Sequence, residues 1–227
     1  MVGNAVLLEG KLPYDALRDL APIANVIRIP NGMFVRSDFP AATMKEFIEY
    51  ARRNPGKVNY GSFGIASPPH VQIEGLARQF GIRLTHVPYK GIAEVLPALL
   101  GGQIQFGSGG VAALVSLAKE GKIRVLASGS KRSPLLPGVP TYAEAGVTQT
   151  SLSWTGLFVP AATPKPVIAK IAQDLKTVFA SPEFVKKYVA GVGLETDYLG
   201  TEEFVQTLKD DLKNYGGEIR ALNIKPE

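Results

Sequence analysis

The 227-residue sequence contains no cysteine, only two histidines, and no apolar run of about 18 or more residues. The lack of cysteine excludes disulfides, thiolate metal sites and cysteine nucleophiles. Two histidines leave few options for a metal cage, and no cofactor is predicted. Without a long apolar run, no segment is predicted to span a membrane. The start, MVGNAVLLEG, lacks the basic residues and the long apolar core of a secretory signal.

The charge balance is mildly basic, with 25 Lys and Arg against 20 Asp and Glu and a formal net charge of +5. The basic residues are scattered and form no dense tract of the kind that nucleic-acid-binding surfaces carry. The composition therefore favours an acidic partner and disfavours nucleic acid.

Residues 33–130 repeat one pattern, which is a short strand, a few small residues and a helix. Apolar residues recur at helical spacing after each of the first four strands. Strands that alternate with helices at this spacing predict βαβ units and a parallel sheet with helices on both faces. The predicted strands are MFVRS (33–37), KVNYGS (57–62), RLTHVPY (83–89), QIQFGS (103–108) and KIRVLAS (122–128).

The rest of the chain predicts a second lobe that is present only in part. Residues 1–32 offer at most one or two strands, and SLSWTGLFVP (151–160) is one more. Apolar-periodic helices follow from residue 164, at 182–190 and at 202–220. The predicted division is a partial first lobe (1–32), a complete second lobe (33–150) and a return to the first (151–227). Because little sheet covers these helices, we expect self-association, or mobility at 1–30 and 181–227.

The stretch GSFGIASPPH (61–70) joins the second predicted strand to its helix. In open parallel sheets, ligands bind beyond the carboxyl ends of the strands. Ser67 is a predicted N-cap whose hydroxyl would accept the His70 N–H, and Gly64 and Ala66 let a ligand approach the positive start of the helix. The stretch therefore suits a carboxylate without any basic side chain. The alternative is a tight turn capped by serine.

Other polar or aromatic residues near predicted strand ends are further candidates for ligand contact. Tyr89 and Lys90, in VPYKGI, either line the same crevice or extend along its edge. His70 lies in a first helical turn and is expected to be a neutral hydrogen-bonding group. His86 alternates with apolar neighbours and is expected to be structural. Trp154 is the only tryptophan, and a core role is favoured over stacking on a ligand.

The run GSGGVA (107–112) supports a rival interpretation, because it matches G-x-G-x-x-A after a strand. A dinucleotide fingerprint should open the first βαβ unit and be followed by an acid about 20 residues later. Here it comes fourth, and the next strand ends in ASGSKRS, where only Arg132 could serve a 2′-phosphate. No nucleophile elbow, Walker loop or zinc-protease motif occurs. A nucleotide-dependent α/β enzyme is thus the alternative to a binding protein. A regulator's effector domain would share the architecture, but no helix-turn-helix precedes it.

Several motifs occur together and in the order of a known family: LPYDALRDLAPIA, VNYGSFGIASPPH, THVPYKG, LLGGQIQF, GKIRVLASGSKRSPLLPGVPTYAEAG and SWTGLFVPAATP. Over essentially all of its length the chain resembles the Bug family, the TctC-like extracytoplasmic receptors of tripartite tricarboxylate transporters. The resemblance implies a two-lobed, type II periplasmic-binding-protein fold that closes on a small organic anion, usually a carboxylate. It also implies a periplasmic location and membrane subunits of a transporter as partners.

The resemblance carries over to the stretch 61–70, which matches the family's S-x-G-x-G-[ST]-x-x-H loop with Ala66 in place of a glycine. Two departures stand out. The exported signal and the strand–Gly-rich loop–helix unit of the opposite wall are not found, so the first lobe is expected to be incomplete. The loop after the fourth strand often carries Asp, but GSGG leaves only Ser108, which disfavours an amino-acid ligand. The expected ligand contacts are Ser62, Gly64, Ile65, Ala66, Ser67, His70, Tyr89, Lys90, Ser108 and Trp154.

Overall fold

The computed structural model describes residues 14–15, 18–148 and 153–225, and these form one sheet of five strands and one of three. The chain divides into two units, Pro30–Leu152 and Met1–Ile29 with Ser153–Glu227. We call them the central unit and the terminal unit. The divisions fall after residues 29 and 152, where the sequence predicted 32 and 150.

The elements follow the predicted alternation through the central unit. In chain order they are β1 (Leu20–Ile29), β2 (Asn31–Arg36), α1 (Met44–Arg53), β3 (Asn59–Ser62), α2 (Pro68–Phe80), β4 (Thr85–Pro88), α3 (Ile92–Leu100), β5 (Phe106–Gly110), α4 (Val111–Lys119), β6 (Ile123–Ser128), β7 (Ser153–Pro160), α5 (Lys165–Phe179), α6 (Pro182–Phe184) with a π turn (Val185–Val189) and a 3₁₀ turn (Ala190–Val192), β8 (Glu195–Leu199) and α7 (Thr201–Ala221).

The sheet of the central unit has the order β4-β3-β5-β2-β6 and is mixed. Strand β3 runs parallel to β4 and β5, as predicted. Strand β2 is antiparallel to both β5 and β6, so the prediction of an all-parallel sheet is wrong at this strand. A strand shows the same period-2 pattern in either direction, and its apolar residues therefore could not reveal its orientation.

Helices cover both faces of this sheet, as the spacing of apolar residues predicted. On one face, α1 buries Phe47, whose ring stacks on that of Phe106 at 4.1 Å between centroids. On the other face, α3 and α4 bury Val95 and Leu114. Neighbouring residues of β2 alternate between the two clusters, with Phe34 in one and Val35 in the other. The two cores therefore share one sheet.

The terminal unit contains a three-stranded antiparallel sheet of order β7-β1-β8. Strand β7 agrees with the predicted strand at 151–160, and α5 and α7 agree with two of the predicted helices. The predicted helix at 182–190 is instead a succession of short α, π and 3₁₀ turns. Strand β8 was not predicted, because ETDYL is short and has few apolar residues to signal a strand.

Apolar side chains are covered only thinly in the terminal unit. Helix α5 has no buried residue in the described part of the chain, and its Val167 and Val178 are exposed. Helix α7, by contrast, buries Phe204 and Leu208. None of the helices that the structure describes is long and apolar enough to cross a membrane.

Candidate functional site

The stretch 61–70, which we call the ligand loop, lies at the carboxyl end of β3. Because β3 is parallel to β4 and β5, the three strands end at the same edge of the sheet. Ser62 lies opposite Pro88 in the register of β3 and β4, and the amide of Tyr89 donates to the Ser62 carbonyl at 3.0 Å. The structure therefore brings the ligand loop and the start of the predicted VPYKG segment together.

The ligand loop is closed by hydrogen bonds that converge on Gly64. The Ser67 hydroxyl donates to the Gly64 carbonyl at 2.7 Å, and the Ser67 amide donates to the same oxygen at 3.2 Å. The Ser62 hydroxyl lies 3.1 Å from this carbonyl and accepts the Gly64 N–H at 3.2 Å. Gly64 has φ of 99°, a conformation that favours glycine.

The hydrogen bond predicted for the Ser67 hydroxyl is wrong, although Ser67 does lie at the predicted N-cap position. Ser67 occupies the N-cap position of α2, but its side chain makes no capping bond. Pro68 and Pro69 have no N–H, so His70 provides the first helical donor. The hydroxyl proton of Ser67 goes to Gly64 instead. In this geometry the hydroxyl can only accept, because its single proton is already used.

Ala66 adopts φ of 51°, in the left-handed region that L-residues other than glycine rarely occupy. This conformation costs roughly 1–2 kcal/mol for a residue with a Cβ atom. It explains in physical terms why the family pattern has a glycine at this position. The Ala66 side chain is buried, and its amide donates to Nδ1 of His70 at 3.0 Å.

His70 is a neutral hydrogen-bonding group, as predicted, although burial rather than the helix dipole is the main cause. Burial, followed by the neighbouring His86, lowers the pKa of His70 to about 4. Its Nδ1 accepts a hydrogen bond and therefore carries no proton, which places the ring hydrogen on Nε2.

His86 makes a contact with the ligand loop that the sequence did not reveal. Its ring stacks on His70 at 3.9 Å with an interplanar angle of 7° and on Tyr60 at 5.0 Å. Its Nε2 lies 2.6 Å from the Ser62 hydroxyl, and burial lowers its pKa. The alternation of β4 predicted only a structural role for His86. It could not identify β3 as the neighbouring strand, where Tyr60 lies opposite His86.

Two backbone donors in the segment between β3 and α2 remain unpaired within the described residues. The N–H groups of Gly64 and Ala66 are bonded inside the loop, whereas those of Phe63 and Ile65 donate to no described residue. All of these residues except Ala66 are partly accessible. Unpaired N–H groups next to a helix start can donate hydrogen bonds to an anion.

Tyr89 and Lys90 follow the carboxyl end of β4. The Tyr89 side chain is half-buried against the apolar cluster of α3 and α4. The Lys90 side chain is exposed, and its amide donates to the Glu94 carboxylate at 3.0 Å. Contact of either side chain with a ligand stays a prediction.

Ser108 has a partner inside the protein rather than a free hydroxyl at the sheet edge. It is fully buried in β5, and its hydroxyl donates to Oε1 of Gln72 on α2 at 2.7 Å. The geometry does not support a direct role for Ser108 in ligand contact.

The GSGGVA run does not form a phosphate-binding loop. Gly107 to Gly110 belong to β5 and pair with β2. A Cβ atom on Gly109 would lie 2.5 Å from Cδ1 of Ile92, so this glycine serves close packing. Arg132, the candidate for a 2′-phosphate, pairs with Glu144 at 3.1 Å. The observations that supported a nucleotide-dependent enzyme are therefore accounted for by packing and by a surface ion pair.

Trp154 belongs to the terminal unit, where it is half-buried. Its indole N–H donates to the Asp211 carboxylate at 2.7 Å, and its ring meets Phe204 edge-on at 5.2 Å. Burial raises the pKa of Asp211, and the bond from Trp154 opposes that rise. These contacts agree with the favoured core interpretation.

A cleft of about 660 Å³ lies beside α1, and none of the predicted ligand contacts lines it. Its charged lining residues are of both signs: Lys45, Glu49, Arg52 and Glu144. In the part of the chain that the structure describes, no group of three or more His, Asp or Glu residues could hold a metal ion.

Comparison with known proteins identifies relatives along nearly the whole chain. A protein from the gbd 5′ region of Cupriavidus necator, named only as a UPF0065 protein, is 33% identical over 215 residues. The alignment covers 94% of this chain and 65% of that relative, so the chain spans just under two thirds of its length.

Solved structures confirm the predicted fold class. A protein of R. palustris solved with adipate has a TM-score of 0.88 at 26% identity, and the match covers 99% of this chain and 77% of that one. The periplasmic binding protein BugD has a TM-score of 0.85 at 26% identity, covering 100% of this chain and 77% of that one. The model of the tripartite tricarboxylate transporter family receptor, TctC, matches residues 4–224. The chain therefore belongs to the TctC family of receptors, as its motifs predicted.

Proposed function

We propose that this chain is a solute-binding receptor that captures a small organic carboxylate for a tripartite tricarboxylate-type transporter and catalyses no reaction. The observation that carries the proposal is the pair of unpaired N–H groups at Phe63 and Ile65, next to the start of α2. A carboxylate has two acceptor oxygens, and backbone donors beside a helix start stabilise its charge without a basic side chain.

The ligand loop suits a carboxylate group, which carries one negative charge, better than a phosphate group. The loop itself has no cationic side chain, because burial keeps His70 neutral at pH 7. Lys90 follows the carboxyl end of β4, and its side chain is exposed. The adipate bound to the R. palustris relative is a dicarboxylate, which supports this ligand class for the present protein.

Three further parts of the proposal concern the whole receptor. We infer that the protein acts in the periplasm, as the relative BugD does by its name. We infer that its partners are the membrane subunits of the transporter. We also infer that the chain self-associates through exposed apolar side chains of the terminal unit, among them Leu157, Val167 and Val178.

The test is a thermal-shift and calorimetric screen of di- and tricarboxylates, adipate included, beside NAD and NADP. Stabilisation by a carboxylate and none by a dinucleotide is expected, and stabilisation by a dinucleotide alone would overturn the proposal.

A matched pair of lysine variants localises the binding. Lys90→Gln should weaken carboxylate binding roughly 1.4- to fivefold, since an exposed charge contact contributes about 0.2–1 kcal/mol. Lys57→Gln removes the same charge before β3, at the opposite end of that strand, and should leave the affinity unchanged. Equal losses in both variants would show a net-charge effect rather than a site.

A further inference from the structure

Three stacked rings lie behind the ligand loop. Tyr60 on β3, His86 on β4 and His70 on α2 follow one another, with centroid separations of 5.0 Å and 3.9 Å. The rings of the two histidines are nearly parallel, with an interplanar angle of 7°. Such a stack restrains each ring by contact on its faces.

Each histidine of the stack also holds one polar group of the ligand loop. His70 accepts the Ala66 N–H, and His86 contacts the Ser62 hydroxyl, which in turn accepts the Gly64 N–H. The two bonded amides alternate along the loop with the two that are unpaired. The direction of the free N–H groups of Phe63 and Ile65 is thus set by the bonds of their neighbours.

We propose that His86 is a positioning residue for the ligand loop: it fixes the Ser62 hydroxyl and the His70 ring, and so holds the N–H groups of Phe63 and Ile65 ready for an anion. The positioning role concerns the free protein, and its consequence for carboxylate binding rests on the proposed function.

The surroundings of the pair require both imidazoles to be neutral. The titratable groups that face the stack are Tyr60 on β3 and Glu74 on α2, and the Tyr60 hydroxyl donates to the Glu74 carboxylate at 2.5 Å. A proton on Nδ1 of His70 would replace the bond from Ala66. If His86 were also protonated, its positive charge would lie against that of His70 at stacking distance. Burial disfavours the charged form of each imidazole.

The experiment measures amide hydrogen exchange of the ligand loop by NMR in the free protein. His86→Phe keeps a ring for stacking but removes the contact with Ser62, and Ser62→Ala removes the other partner. Each is expected to accelerate exchange at Gly64 and Ala66 up to about tenfold, which corresponds to one hydrogen bond. Ser62→Ala also removes the acceptor of the Gly64 N–H. Because His86 acts on that bond through Ser62, the double variant should exchange no faster at Gly64 than Ser62→Ala alone.

Two further variants separate positioning from a general loss of stability. His86→Gln retains a polar group for Ser62 and should restore part of the protection. Val87→Ala weakens the same strand on its other face, against the cluster of α3 and α4, and should leave the loop amides unchanged. Unchanged exchange in His86→Phe, or an equal acceleration in Val87→Ala, would overturn the proposal.

An adipate titration of the same variants distinguishes this proposal from the proposed function. If the wild-type chain binds, His86→Phe should lose up to about tenfold in affinity and Val87→Ala should lose none. A wild-type chain that binds no carboxylate would contradict the proposed function. The exchange data would still decide whether His86 positions the loop.

Discussion

In the central unit, every helix from α1 to α4 has buried side chains, and two apolar clusters lie on opposite faces of a five-stranded sheet. In the terminal unit, a three-stranded sheet lies beside α5, which has no buried residue in the described part. The same kind of amphipathic helix is therefore covered in one unit and only partly covered in the other, where Ile168, Ile171 and Leu175 are half-buried against β1. Periodicity predicts that a helix has an apolar face, but the available sheet decides how much of that face is buried.

The polar contacts of the two units also differ in how deeply they are buried. Both histidines and the ligand loop belong to the central unit, where the bonds of the loop are backed by a buried aromatic stack. In the terminal unit the polar contacts, such as Arg28 with Asp197 at 2.9 Å, are only partly buried. A site that must hold its geometry without a ligand needs such a rigid support, and the central unit provides it.

The largest expected effect compares a covered helix with an exposed one. Phe47→Ala on α1 removes a fully buried ring and should lower the free energy of unfolding by about 3–5 kcal/mol. Val167→Ala on α5 removes a side chain that is 46% exposed and should cost less than about 0.5 kcal/mol. Urea unfolding measures both, and similar losses would contradict the difference in burial between the units.

The second prediction uses pH to separate the units. An unfolded histidine gains its proton near pH 6.5, whereas His70 in the folded protein does so only near 4. Between these values the unfolded state binds more protons, so the stability of the central unit should fall as pH falls, by roughly 3 kcal/mol at most from this residue.

Hydrogen exchange followed separately in each unit between pH 7 and pH 4 measures this loss. His70→Gln, which cannot titrate, should remove the part of the decline above pH 5 that His70 causes, while His86, whose pKa is also lowered by burial, accounts for a further part. An equal decline in the terminal unit, which holds neither His70 nor His86, would rule out histidine as the cause.

The third prediction concerns the two residues of the ligand loop with positive φ. Gly64→Ala places a Cβ atom at φ of 99° and should destabilise the central unit by roughly 1–2 kcal/mol. Ala66→Gly relieves the strain at φ of 51° and should stabilise it, by less than about 1 kcal/mol because glycine also gains entropy in the unfolded state. Thermal unfolding gives both values, and a loss of stability in Ala66→Gly would contradict the strain.

The smallest effect on stability is expected for the exposed face of α5. Val167→Ser with Val178→Ser should change the free energy of unfolding by less than about 0.5 kcal/mol, since both side chains are exposed. Light scattering should nevertheless show less self-association than in the wild-type chain. A monodisperse wild-type monomer would contradict the inferred association.

The sequence by itself determined most of the secondary structure and the position of the ligand loop. Apolar spacing identified α1 to α5, α7 and the strands of the central unit, and small residues before Pro68 marked the loop. It did not determine the direction of β2, the existence of β8 or the hydrogen bond of Ser67. These depend on which strand or carbonyl lies nearby, which a local pattern does not contain.

In the candidate site too, some features follow from the sequence pattern and others from the tertiary structure. Composition and spacing placed a neutral, glycine-containing loop at the end of a strand, and His70 in the first turn of the following helix. Only the tertiary structure brought His86 against Ser62 and His70, because that contact depends on the parallel register of β3 with β4. The stack also depends on the burial that keeps both imidazoles neutral, and burial is a property of the packed unit rather than of any stretch of the sequence.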